Sequence, residues 1–145
     1  MREIKFRGIG TIYKKWVYGF YAMQSMGRGF EPSIIQYNGG RTEPVQVIPE
    51  TIGQFTGLLD KNGVDAYEGD IIKSKYVNAK INNFAETIVF RNGKFMSEYK
   101  LSEDGKMWVP LADGVAHFEL DKSVYMESFE VIGNIYDGPE LLERG

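Results

Sequence analysis

Apolar and polar residues alternate from the start of the chain. Ile4 and Phe6 fall on one face of an extended segment, and Glu3, Lys5 and Arg7 on the other, so residues 2–7 read as a half-buried strand. A second strand follows from Trp16 to about Met23. Trp16, Tyr18 and Phe20 share one face and Val17, Gly19 and Tyr21 the other. Both faces are apolar, which suits a central strand or an interface. The Trp16, Tyr18, Phe20 stripe is expected in the core. Ser33 to Tyr37 and Val45 to Ile48 are further short strands. The turn Asn38-Gly39-Gly40 separates them, and Pro44 and Pro49 limit the second to an edge or a strand end. Met26 to Pro32, with Gly27 and Gly29 around Arg28, reads as a loop. Pro49-Glu50-Thr51 can start one helical turn, and Gly53 keeps it short.

Turns punctuate the rest of the chain. Asp60-Lys61-Asn62-Gly63 places an aspartate at the first position of a type I turn and a glycine where the left-handed conformation follows. Phe55 to Leu59 and Val64 to Tyr67 flank it as a hairpin. Glu68-Gly69-Asp70 redirects the chain into a strand from Asp70 to Val77. Arg91-Asn92-Gly93-Lys94 is the strongest hairpin signal, because Asn-Gly supplies both positive φ angles of a type I′ turn. Phe90 then lies opposite Phe95, and Val89 opposite Met96. Asp104-Gly105 repeats the device with Leu101 facing Trp108, so residues 86–111 form a three-stranded meander. Asp113-Gly114 leads into Val115 to Leu120. Ser128 to Tyr136 is the last strand, and Pro139 opens a short helix through Leu142.

These elements predict an all-β fold. Several short antiparallel strands form one or two strongly bent sheets or small SH3-like barrels, with very little helix. The 145 residues suit a single domain over 1–145, with room for two β lobes sharing a core. Composition agrees, since nine Tyr, nine Phe and seventeen Gly fit strands joined by tight turns. With no cysteine, disulfides, thiolate metal sites and cysteine nucleophiles are excluded, and a reducing cytoplasm is suited. No run approaches membrane-spanning length, and residues 1–7 lack the continuous apolar stretch of a secretory signal. A net charge of −3 gives no general affinity for nucleic acid and leaves room for a local basic patch.

Candidate chemistry is sparse. Asp60, Asn62, Asp65, Glu68 and Asp70 form the densest oxygen-rich cluster. A calcium loop of the EF-hand type needs glycine at its sixth position and glutamate at its twelfth, where this chain has Asp65 and Ile71. No metal site is therefore expected, and no cofactor. Turn chemistry accounts for Asp60, Gly63, Gly69, Asp70, Asn92 and Gly93, which are expected to act through folding. His117, the single histidine, has no nucleophile or orienting partner nearby in sequence. Gly8-Ile9-Gly10 and Gly27-Arg28-Gly29 lack the rest of any phosphate-loop fingerprint and read as flexible loops. Lys14, Lys15 and Trp16, and then Lys73, Lys75, Tyr76 and Lys80, interleave cations with aromatics. That pattern can grip single-stranded nucleic acid, although alternating lysines also mark a strand's solvent face.

Three blocks resemble the YopX family of bacteriophage and prophage proteins. The first is Met1-Arg2-Glu3-Ile4-Lys5-Phe6-Arg7, followed by Trp16-Val17-Tyr18-Gly19. The middle block runs from Glu50-Thr51-Ile52-Gly53-Gln54-Phe55-Thr56-Gly57-Leu58 through Asp60-Lys61-Asn62-Gly63 to Tyr67-Glu68-Gly69-Asp70-Ile71-Ile72. The last is Phe129-Glu130-Val131-Ile132-Gly133-Asn134-Ile135-Tyr136, then Pro139-Glu140-Leu141-Leu142. The resemblance implies a β-rich, phage-derived protein in the cytoplasm of a bacterial host. It brings no reaction and no catalytic residues.

The functional expectation is a non-enzymatic module that associates with itself or with a phage or host protein, because no catalytic set assembles while two-faced apolar strands need a cover. The alternative is a nucleic-acid-binding β-barrel using Lys14, Lys15, Trp16, Lys73, Lys75 and Tyr76. An enzyme would need His117 or the acidic turn to meet distant partners.

Overall fold

The computed structural model describes residues 2–25, 27–77, 85–100, 106–110, 119–121 and 124–143. The N-terminal strands are β1 (Phe6–Ile9), β2 (Trp16–Ser25), β3 (Phe30–Asn38), β4 (Arg41–Gln46) and β5 (Gly53–Leu59). They are followed by β6 (Asp65–Tyr67), β7 (Asp70–Val77), β8 (Ala85–Arg91), β9 (Lys94–Lys100), β10 (Lys106–Pro110), β11 (Glu119–Asp121) and β12 (Val124–Asn134). Two single 3₁₀ turns, Pro49–Thr51 and Pro139–Leu142, are the helical segments among the described residues, each opened by its proline. The strands run in two six-stranded sheets, β4-β3-β2-β1-β5-β6 and β10-β9-β8-β7-β12-β11. The all-β class is as expected, but the sheets are open and neither closes into a barrel. The chain divides into two compact units, Met1–Gly57 and Leu58–Gly145.

In unit 1, β2 changes partner midway. Residues Trp16 to Gly19 pair with β1, and Phe20 to Ser25 pair with β3. Gly19 sits at the changeover, where a Cβ would overlap the carbonyl oxygen of Ile35. This departure explains why β1 begins at Phe6 and not at Arg2, since residues before Phe6 have no β2 partner. Ile4 is consequently half exposed, while Arg7, expected on the solvent face, is buried. Gly8 and Gly10 are not flexible loop residues. Gly8 lies in β1 with Val47 against its missing side chain, and Gly10 bridges Val47. The core of the unit is Val17, Ile34 and Val47, flanked by Phe6, Val45 and Ile52. The Trp16, Tyr18, Phe20 stripe is therefore not core. Val17 points inward, and Phe20 stays 65% exposed. β3 begins at Phe30, inside the segment read as a loop, because β2 continues to Ser25 and pairs with it. Pro44 lies within β4 without disrupting the sheet, because β4 is an edge strand.

In unit 2, β7 to β10 pair in sequence and β12 returns between β7 and β11. The Asn92-Gly93 hairpin has the expected register, Phe90 opposite Phe95 and Val89 opposite Met96. The following register is different. Trp108 lies opposite Glu98, not Leu101, because five residues separate β9 from β10. The turns at Asp104-Gly105 and Asp113-Gly114 lie outside the described residues. β12 begins at Val124, before the expected Ser128, and two bulges adjust its register against β7. Ala66, Ile72, Ile88 and Phe129 form the core, with Leu58, Phe95 and Val131 packed around it.

Candidate binding pocket

The chain between β1 and β2 is tied into a tight turn. The Gly10 N–H donates to the Lys15 carbonyl (2.9 Å), and the Lys14 N–H donates to the Gly10 carbonyl (3.1 Å). Closing this turn puts Lys14 at φ 54°, a left-handed conformation uncommon for a residue with a side chain. The turn is anchored to the β4 end of the sheet, where the Thr11 N–H donates to the Gln46 carbonyl (3.0 Å). Behind it, the Thr51 hydroxyl accepts from the Ile9 N–H (2.8 Å) and donates to the Ile48 carbonyl (2.6 Å).

A pocket of about 520 Å³ opens between this turn, Gln36 of β3 and residues 43–46 of β4. Trp16 lines it, and the Arg7 guanidinium stacks on that indole 4.5 Å from the ring centroid. Tyr13 and the exposed Lys15 line it too, Tyr13 with most of its surface in solvent. On the opposite wall the Gln36 amide donates to the Glu43 carboxylate (3.1 Å), a pair set directly across the β3–β4 ladder.

Charge is divided unevenly along the chain. Unit 1 carries seven Lys and Arg against four Asp and Glu, a net +3; unit 2 carries ten against sixteen, a net −6. The mildly acidic total thus conceals a basic first unit.

The predicted basic and aromatic residues are placed as follows. Lys15 and Trp16 line the pocket, and Lys14 sits in the turn beside them without lining it. Lys73 and Lys75 belong to unit 2, exposed on β7 and alternating with buried Ile72 and Ser74, the pattern of a solvent-facing edge of side chains. The backbone of Tyr76 continues β7; its side chain, Lys80 and His117 lie outside the described residues.

The acidic turn is a latch. Asp60 Oδ1 accepts the backbone N–H groups of Asn62 (2.8 Å) and Val64 (2.9 Å), and Oδ2 accepts that of Val131 (3.0 Å). Burial pushes this carboxyl up, and the three N–H donors with Lys61 outweigh it, holding it below its ordinary value. Lys61 adds a backbone bond to Phe129 (3.0 Å) and an ion pair with Glu130 (3.0 Å). Asp70 Oδ2 accepts the Tyr67 N–H (2.8 Å). Gly63 (φ 80°), Gly69 (φ 88°), Asn92 (φ 52°) and Gly93 (φ 75°) all have positive φ. Among the described residues no acidic or histidine group is gathered around a metal position.

Sequence reasoning missed two sets of residues. The pocket wall of Tyr13, Gln36 and Glu43 comes from three separate segments, and no local spacing joins them. Glu86 is fully buried, with Ser74 and Ser97 donating their hydroxyls to its Oε2. Its signal was a carboxylate inside a strand whose other residues from 85 to 90 are apolar except Thr87.

Comparison with known proteins adds a family. Among curated proteins none matches. A similar solved structure is the crystal structure of protein EF1440 from Enterococcus faecalis, at 23% identity and a TM-score of 0.54 over 98% of this chain and 99% of that one; the likeness is one of fold. The family model described as YopX protein matches residues 5–143, nearly the whole chain. The chain belongs to the YopX family.

Proposed function

We propose that this protein is a phage-encoded, non-enzymatic interaction module that works as a homo-oligomer in the cytoplasm of a bacterial host. The observation that carries this reading is the exposed apolar surface of β2 and β3. Phe20 and Tyr37 are 65% and 77% exposed, and Tyr18 is exposed beside them. Phe20 lies opposite Ile35, Tyr37 follows Ile35 by two positions and Tyr18 precedes Phe20 by two, so these residues share one face; Tyr21, Met23 and Phe30, also exposed, fall on the other. Grouped apolar exposure of this kind marks association surfaces, whereas scattered single residues do not. The occupant is a second copy, because the same patch on another chain is an apolar surface of matching extent at equal concentration. The phage setting rests on the family resemblance, and the absence of cysteine suits the compartment.

Sedimentation velocity tests the association. Wild-type protein is expected to form a discrete oligomer, and Phe20→Glu with Tyr37→Glu to dissociate it while leaving far-UV circular dichroism unchanged. A strictly monomeric wild type at high concentration would overturn the reading.

A second reading, nucleic-acid binding, is favoured by one observation. Lys15, Trp16 and Tyr13 line a single pocket in the basic unit.

A further inference from the structure

We infer that the unit 1 pocket binds a nucleobase carrying a phosphate, presented by single-stranded nucleic acid or by a free nucleotide. This deepens the nucleic-acid reading and does not rest on self-association. The volume of about 520 Å³ lies in the range of small-ligand pockets and exceeds what one base needs. Trp16 supplies a stacking surface, and the Arg7 guanidinium held 4.5 Å from its centroid is already part of the stack. Opposite, Glu43 and Gln36 present acceptor oxygens and an amide, the groups that meet the amino-bearing edge of a base.

The phosphate is met at the turn. Lys15 lines the pocket and Lys14 precedes it, and neither is engaged in an ion pair among the described residues. The backbone of Lys14 gives an independent reason. At φ 54° a glycine or asparagine is ordinarily found, so a lysine there holds a cation in a conformation that does not favour it. Strain of this kind clusters at ligand sites. The net +3 of the unit steers an anion towards it, although the whole chain is acidic.

The test uses the full chain and a short fluorescein-labelled oligo-dC, chosen because cytosine carries an exocyclic amino group for Glu43. Anisotropy is expected to show binding at low salt that weakens as salt rises. Trp16→Leu should weaken it roughly tenfold or more. Lys14→Gly removes the cation and relieves the backbone, so it should fold at least as stably as wild type. Its binding should be weaker, with a salt slope reduced by about one. Phe20→Glu should leave binding unchanged, which separates failure of this site from failure of the association surface. Competition by CMP identifies a free nucleotide as a ligand source; binding of the oligomer without such competition identifies the polymer. Absence of binding to both probes at low salt overturns the proposal. So does wild-type affinity and salt slope in both Lys14→Gly and Lys15→Gln.

Discussion

Asp60 receives three backbone N–H groups from two separate segments, and charge on the acceptor is what makes them strong. Asparagine in its place would keep one carbonyl oxygen and turn an amide N–H₂ towards one of the donors. Asp60→Asn is therefore expected to lower unfolding free energy by roughly 2–3 kcal/mol near neutral pH. The folded-state pKa is depressed, so the unfolded chain binds the proton more readily. The stabilisation is then fully present above the ordinary carboxylate value of 3.8 and is lost as pH falls through the lower folded value. Urea titrations of both proteins should show their difference shrinking below about pH 4. Equal sensitivity at all pH values would assign the carboxylate no such part. The turn itself was legible, because Asp, Asn and Gly announce it locally. Its reach to Val131 was not, because a bond between positions 71 residues apart leaves no spacing to read.

At the scale of the strands, β8 is joined to both neighbours by more than its backbone. Glu86 accepts a hydroxyl from Ser74 on β7 and another from Ser97 on β9. Glu86→Ala would leave two buried hydroxyls without this acceptor and open a void, an expected loss of roughly 2–4 kcal/mol. Glu86→Gln keeps the volume and an acceptor oxygen and should lose less; equal losses in thermal denaturation would place the cause in the charge of the carboxylate and not in volume. The β8–β9 hairpin gives the companion case. Gly93 at φ 75° has open space around it, so Gly93→Val acts only through backbone strain, about 1–2 kcal/mol. A melting temperature unchanged by Gly93→Val would contradict that. This hairpin was readable to the residue, since Asn-Gly fixes both turn type and register. The β2 strand was readable in extent and misread in its faces. Alternation locates two faces without saying which is covered, and the cover came from Val47, thirty residues away.

Over the whole molecule, each unit has its own apolar cluster, so stability need not be lost everywhere at once. Gly19→Ala forces a Cβ into the Ile35 carbonyl and should destabilise unit 1 by about 3 kcal/mol or more. Hydrogen exchange should then quicken in β2 and β3 while amides of β7, β8 and β12 keep their protection. Uniform quickening would show one cooperative block. All-β class and family were legible because turn residues and phrases are local signals. The division of charge between units was not, since its boundary at Gly57 falls inside a continuous strand. The return of β12 also bears on how the protein is made. Residues leave a ribosome in order at roughly 5–20 per second. Until Val124–Asn134 has emerged, β7 lacks one of its two neighbours and the Asp60 latch lacks its Val131 donor. The second sheet is thus finished seconds after it begins, and a message cut short before codon 124 yields a chain with an open β7 edge. That edge is a template for pairing with other nascent chains, so the last strand to emerge decides whether the strands made before it stay out of aggregates.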